Sequence, residues 1–535
     1  MKSYFILAFL FVSFTLFSQQ VIRGPYLQVL TPQSIQICWR TDVPTNSRVI
    51  FGNSLTAQNQ SVVDTVLKTN HFVNLTGLNP STFYYYSIGT TNNILNGNID
   101  ALRFKTAPAN GAVAPYRFWA IGDFGKANQG QQNVLSSFNN YTSGQHTDMM
   151  IFLGDNAYSD GTDQEYQDKV FNIYDSIMPY LPVNSTPGNH DYNSVNRFDA
   201  PDQHVGPYFN IFNNPMNAEA GGVASNTELY YSYDFGNIHF ISLNSEIQAW
   251  TSSSNSQMFN WLRQDLQANT KEWIICYFHQ PPYSKGSHDS DDFWELLMLS
   301  MRQNALPILE QYGVDLVLSG HSHVYERSKL IKGHFGYSFA YSNTTHAIST
   351  SNGNYNQGQH YVKYLNGTNA GTVYVVCGNS GSSESGASLN HPVMIASDGG
   401  SNAYGSMLIE INGNRMDCKY LRSTGVVYDE FTIIKPDGSN PAPTGTESNN
   451  ALISEPRIYP NPANDFLQVE FRLQSDAETL ISLFDYNSRE LFSEKIKSYS
   501  GENRKLFNIS DLAPGNYIVN IRTEKETLSL PFVHK

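Results

Sequence analysis

Five strand-like runs in this chain each stop at residues able to hold a metal: YRFWAIGDFG, MMIFLGDNAY, LPVNSTPGNHD, WIICYFHQPP and VDLVLSGHSHVYER. A short apolar run bounded by turn residues reads as a strand buried on both faces, and such strands belong to parallel sheets covered by helices. Between the runs lie FNWLRQDLQAN and DDFWELLMLSMRQNALPILEQYG, whose apolar residues recur near the helical period. Strands alternating with helices predict an α/β layered core. In an open α/β sheet the carboxyl ends of the strands form one rim, where ligands bind. Residues scattered from Asp123 to His323 are therefore expected to converge on one point.

That rim would carry Asp123, then Asp155 and Tyr158, then Asn189, His190 and Asp191, then His279, and last His321 and His323. Singly, each is uninformative: Asp123 suits a turn, Tyr158 a packed ring, and His-x-His a pair of hydrogen-bonded imidazoles. Together they mix hard oxygen with borderline nitrogen donors, the ligands of first-row metals. One carboxylate can bridge two cations, and paired cations serve displacement at phosphorus.

The charge balance points the same way. A formal net charge of −14 opposes general binding of nucleic acid, which relies on Lys and Arg neutralising phosphates. No nucleic-acid partner is expected, and an anionic substrate would need positive charge from metal ions. With 40% hydrophobic and 13% aromatic residues the chain has material for packed cores. The start, MKSYFILAFLFVSFTLFSQQ, places Lys2 before an apolar run over Tyr4–Phe17, a signal peptide pattern over residues 1–18 and short for a membrane span. No other segment is apolar long enough to cross a bilayer. The mature chain is expected to lack a transmembrane segment and to be secreted or at the cell surface.

Four distant cysteines, Cys38, Cys276, Cys377 and Cys418, include no CxxC pair, which argues against a disulfide scaffold or a thiolate zinc site. Cys377 and Cys418 are a conceivable pair, with buried free thiols the simpler reading.

Composition divides the chain. Residues 20–107 read as all-β, with runs such as SIQICWR, SRVIFG and STFYYYSIG spaced like a fibronectin type III-like β-sandwich. TAPANGAVAP is a linker, and residues 116–435 form the central α/β domain of sheets flanked by helices. Within it, 331–372 is a polar stretch rich in Ser, Asn, Gly and Tyr, read as a surface insertion that would wall the pocket. PDGSNPAPTGTESNN (436–450) is a second linker, and 451–535 a small C-terminal β-sandwich.

GDFG, GDNAY, GNHD, the strand-end His279 and GHSHVYER, in this order, resemble the purple acid phosphatases of the metallophosphoesterase superfamily. The resemblance implies a dinuclear centre of ferric iron and a divalent metal (iron, zinc or manganese). Ferric iron would be held by Asp123, Tyr158 and His323, the divalent ion by Asn189, His279 and His321, with Asp155 bridging. Tyr158 is the most discriminating of these positions. His190 and His288 match substrate-contacting histidines, while Glu326 and Arg327 are read as packing or supporting residues. Two departures stand out: Cys276 occupies a position the family commonly fills with valine, and Ser287 stands where plant members often carry a further histidine. The C-terminal RIYPNPA and LAPGNYIV resemble the type A sorting domain of type IX secretion, implying that secretion machinery as a partner. The implied activity is an exported acid phosphatase that hydrolyses phosphomonoesters by attack of a metal-bound hydroxide. A phosphodiesterase or nucleotide-cleaving enzyme is the alternative on the same centre. A non-catalytic surface adhesion protein is the alternative that the flanking sandwiches suggest.

Overall fold

The computed structural model describes residues 19–195, 206–247, 251–364, 370–384, 389–436, 453–485, 489–524 and 527–535. The expected signal peptide and linker residues 437–450 lie outside them.

The central domain is built by the alternation of its strands. In Tyr116–Ile121, Phe118 and Ala120 face one core and Trp119 and Ile121 another. Met149–Phe152 divides the same way, Met149 and Ile151 against Met150 and Phe152. Period-two side-chain geometry with both faces apolar demands cover on both sides. One seven-stranded sheet contains Tyr116–Ile121, Met149–Phe152 and Val183–Ser185 as parallel neighbours. The other contains Ile238–Ser242, Trp273–Tyr277, Leu316–Ser319 and Val373–Cys377, also parallel. The sheets pack face to face through residues such as Phe118, Ile151, Phe240, Ile275 and Leu318. Their outer faces are covered by helices that include Gln129–Thr142 and Gln257–Ala268, through Phe138 and Leu262 among others. The carboxyl ends of the parallel strands in both sheets lead into the loops that carry the candidate ligands.

The N-terminal unit hydrogen-bonds all six of its strands into a single sheet. Ser34–Gly52 runs through it, pairing Val21–Gln28 at one end and Phe83–Gly89 at the other. A register shift between Arg40 and Thr45 marks the irregularity at which such a strand bends. Leu27, Ile37, Trp39, Val49, Tyr84 and Tyr86 fill its core. The C-terminal unit has a three-stranded and a four-stranded sheet around Leu467, Phe471, Ile481, Val519 and Phe532. A multidomain chain of β, α/β and β units is thus what the sequence patterns anticipate and what the chain forms.

The 331–372 stretch is stitched to the domain at several points. Ile331 bridges Thr372 and Ala347, Tyr361–Val362 pairs with Ile433–Ile434, and Lys363 Nζ lies 2.7 Å from the buried Asp315 carboxylate. These contacts involve no candidate ligand. All four cysteines are free and buried, so Cys377 and Cys418 do not pair. No helix among the described residues is long and apolar enough to cross a membrane.

A buried charge cluster braces the second sheet. His239 donates from Nδ1 to Asp234 and from Nε2 to Asp265, each at 2.8 Å, and Lys271 reaches Asp234 at 2.9 Å. Burial opposes the imidazolium, but the two carboxylates outweigh it and raise the His239 pKa to about 9. Because this lies above the unfolded value of about 6.5, the stabilisation is complete below that pH and lost as pH rises through the folded value. His239→Gln should therefore lower stability by about 3 kcal/mol near neutral pH. Denaturant unfolding of both proteins should show that gap narrowing at alkaline pH; a gap independent of pH would show that charge plays no part.

Candidate metal centre

Three candidate ligands sit in left-handed backbone two or three residues beyond a strand end: Asp123 (φ 54°), Asp155 (φ 51°) and His321 (φ 64°). This conformation is uncommon outside glycine, though Asp and His adopt it more readily than most, and it stores about 1–3 kcal/mol per residue. The glycine before each ligand allows a close approach. A Cβ on Gly154 would stand 2.5 Å from Nδ1 of His279, and one on Gly320 would stand 2.4 Å from Oδ2 of Asp123. Substituting either would push a ligand out of place.

Hydrogen bonds then aim the donors. The His321 amide donates to Asp123 Oδ2 (2.8 Å), and the His190 amide to Asp155 Oδ1 (2.9 Å). His279 donates from Nδ1 to the Leu153 carbonyl (2.9 Å), which turns its Nε2 inward. Two groups of donor atoms result. In the first, Tyr158 Oη lies 2.9 Å from Asp123 Oδ1 and 3.1 Å from His323 Nε2, with 3.6 Å between the latter two. In the second, Asn189 Oδ1 lies 3.2 Å from His279 Nε2 and 3.1 Å from His321 Nδ1. Asp155 Oδ1 approaches His279 Nε2 at 3.4 Å, and ligand atoms of Asp123, Asp155 and His279 all fall within 4.8 Å of one another. Metal–donor bonds of about 2.1 Å at octahedral to tetrahedral angles hold donors roughly 3.0–3.4 Å apart. The second group's distances, 3.1 and 3.2 Å, fall in that range, and the first group's, 2.9–3.6 Å, straddle it. All seven candidate ligands are brought together.

The electrostatics call for positive charge. Asp123, Asp155 and His279 are essentially inaccessible to solvent. Burial alone would raise the Asp155 carboxyl, but His279 and His190 prevail and hold it far below the usual range. His279 shows the reciprocal effect: burial opposes its charge, and the Asp155 and Asp123 carboxylates nevertheless drive its pKa well above normal. The two carboxylates thus concentrate negative charge on a buried volume. Burial and the same two carboxylates push the Tyr158 phenol well above its ordinary value, so a phenolate there requires a cation beside it.

His190 and His288, the two histidines expected to contact substrate, flank the centre and remain partly open. His190 donates from Nδ1 to the Ser159 carbonyl (2.6 Å), its ring 4.4 Å from that of Tyr158. His288 has its ring 3.9 Å from that of His321 and its Nδ1 2.5 Å from Glu295 Oε1. Glu326 accepts from Ser284 (2.6 Å), which also meets Ser322, so it ties the His288 loop to the His321–His323 loop. Arg327 makes a two-pronged ion pair with Asp429. Cys276 is a buried thiol whose pKa is raised by burial, consistent with a core side chain.

Three contributors were not assigned a role from sequence. Asp191, within GNHD, accepts from the Asn156 and Gly188 amides and from Tyr166 Oη, locking two ligand loops together. Glu295 belongs to a helical region without local signal, yet its carboxylate reaches His288 and stands 3.5 Å from His321 Nε2. Glu384 lies in a Ser-rich loop and contacts His323 at 2.8 Å.

Residues 116–325 match the calcineurin-like phosphoesterase model, residues 23–106 the purple acid phosphatase N-terminal domain, and residues 457–535 the secretion system C-terminal sorting domain. The last marks a secreted or cell-surface protein. Purple acid phosphatase 15 of Arabidopsis thaliana is 26% identical over 49% of this chain and 50% of its own length. Acid phosphatase type 7 of Homo sapiens is 30% identical over 55% of this chain and 68% of its own. The chain thus spans about half to two thirds of these curated relatives. A purple acid phosphatase isolated from yellow lupin (Lupinus luteus) seeds shares the fold, with a TM-score of 0.59 at 20% identity over 77% of this chain and 74% of that one. Such a family implies a dinuclear metal centre, and Asp123, Asp155 and His279 form a group able to hold a metal ion. The chain belongs to the purple acid phosphatases, within the calcineurin-like phosphoesterases.

Proposed function

We propose that this protein is an exported phosphatase that hydrolyses phosphomonoesters at a dinuclear metal centre, leaving the cell through type IX secretion. The observation that carries the reading is the pair of donor groups at metal-ligand spacing, one anionic and one neutral, with Asp155 between them. Asp123, Tyr158 and His323 would hold ferric iron, since a carboxylate and a phenolate favour the higher charge. Asn189, His279 and His321, neutral donors, would hold divalent iron, zinc or manganese. Asp155 would bridge them. When bound, the cations offset phosphate charge and lower the pKa of a water so that it serves as nucleophile.

The chain's own groups do the rest. His190 and His288 each spend Nδ1 on an acceptor, Ser159 O and Glu295 respectively, which leaves Nε2 for an oxygen of the substrate. Their side chains are 30% and 34% exposed, which supports a role at the face where phosphate would enter. One such donor neutralises developing charge and one protonates the leaving alkoxide. A complete donor set speaks against the adhesion reading, because a binding module has no use for every ligand.

Two experiments test the proposal. Tyr158→Phe keeps the ring but removes the oxygen, so the visible tyrosinate band should vanish while the fold survives. His323→Ala should weaken the iron side and its colour, whereas His321→Ala should release the divalent ion and leave the colour. Variants that keep both metals and full turnover would mean the histidines are structural. The second experiment compares phosphomonoester with phosphodiester model substrates on the wild type and on His190→Ala and His288→Ala. Monoesters should be the faster class, and each substitution should lower kcat by about a hundredfold with metal content intact. Faster diester cleavage would move the protein to the alternative activity.

A further inference from the structure

A sixth strand end reaches the metal centre. Val373–Cys377 pairs in parallel with Leu316–Ser319 and runs straight into GNSGSSE at 378–384. That loop is fastened to the first ligand loop: the Gly122 amide donates to Ser380 Oγ (3.2 Å), the Ser380 amide to the Gly122 carbonyl (3.1 Å), and the Ser382 amide to the Asp123 carbonyl (2.9 Å). Gly378 allows the approach, since a Cβ there would stand 2.2 Å from the Ser322 carbonyl oxygen. The loop ends at Glu384, whose amide donates to the His323 carbonyl (3.3 Å) and whose Oε1 lies 2.8 Å from His323 Nδ1.

We propose that Glu384 is a positioning residue for His323, fixing which ring nitrogen carries the hydrogen and which faces the iron-side donors. The inference rests on the dinuclear reading above. With Nδ1–H donated to Glu384, the Nε2 lone pair is directed at the space shared with Tyr158 Oη (3.1 Å) and Asp123 Oδ1 (3.6 Å). A carboxylate behind an imidazole both orients the ring and strengthens it as a donor. Of the other two candidate ligand rings, His279 has a neutral acceptor in this place, the Leu153 carbonyl. Glu295 is 3.5 Å from His321, outside hydrogen-bond range for a charged pair. The charged support is therefore concentrated on the side with the anionic ligands, where an ion of higher charge would sit. Glu384 itself is 56% exposed, and an exposed ion pair contributes little to folding. Its effect should appear in metal retention rather than in the fold.

The test uses the metal-loaded full chain, as wild type, Glu384→Gln and Glu384→Ala. Each is challenged with a chelator while iron, the divalent metal and the visible band are followed separately. Glu384→Ala should release the iron-side ion about 10–100-fold more readily and shift the band, with the divalent ion lost at the wild-type rate. Glu384→Gln, which keeps an acceptor but no charge, should fall between. The metal-free proteins should unfold alike. Equal retention of iron in wild type and Glu384→Ala overturns the inference, as does equal acceleration for both ions or a shifted metal-free unfolding curve. A wild type that holds no metal would instead refute the dinuclear reading, and this inference with it.

Discussion

Asp155 is a carboxylate with 1% of its surface exposed, set where the ends of two sheets meet. An uncompensated charge in such a place is opposed by several kcal/mol, so its surroundings are organised around it. The His190 amide and the His279 imidazole approach its oxygens, and its charge in turn raises the pKa of Asp191 behind it. Burial first, and Asp155 second, lift Asp191 to about 7. Left-handed backbone at Asp155 itself, and at Asp123 and His321, is the strain accepted to point three donors at one volume. Without a cation these groups compete for protons. With cations they would act as one coordinated unit, as proposed above.

The fold supplies the convergence. Parallel strands from two sheets present their carboxyl ends together, so loops more than two hundred positions apart share one site, from Asp123 to Glu384. The glycines before the ligands set the distances, and Asp191, Glu326 and the 378–384 loop link each ligand loop to its neighbours. The terminal β units contribute no donor to either group; the N-terminal one is anchored by Arg23 and Arg40 on Asp163.

What the sequence disclosed was whatever is local. Asp123, Asp155 and His321 each follow a glycine at the end of an apolar run, and the run, the turn and the ligand lie within a few residues. Asn189 and His190 share one short motif, and Tyr158 stands one turn after its strand. Glu295 and Glu384 had no such mark. Glu295 follows an exposed Trp294 at the start of a helical segment, and Glu384 ends a serine-rich stretch typical of a linker. Their task depends on which histidine lies opposite, and that is set by chain packing alone. Similarly, strand spacing foretold a β-sandwich over 20–107, but not that one bent strand, Ser34–Gly52, would join its strands into one sheet. The polar 331–372 stretch gave no sign of being fixed to the two sheets through Ile331, Tyr361 and Lys363.

The central claim is that two cations share this site with Asp155 between them. Anomalous diffraction from crystals of the purified protein, collected at the absorption edges of iron, zinc and manganese, tests it directly. The account predicts two peaks, an iron peak among Asp123, Tyr158 and His323 and a second among Asn189, His279 and His321, each adjacent to an Asp155 oxygen. A single peak, or none at either donor group in protein that hydrolyses phosphomonoesters, would contradict it.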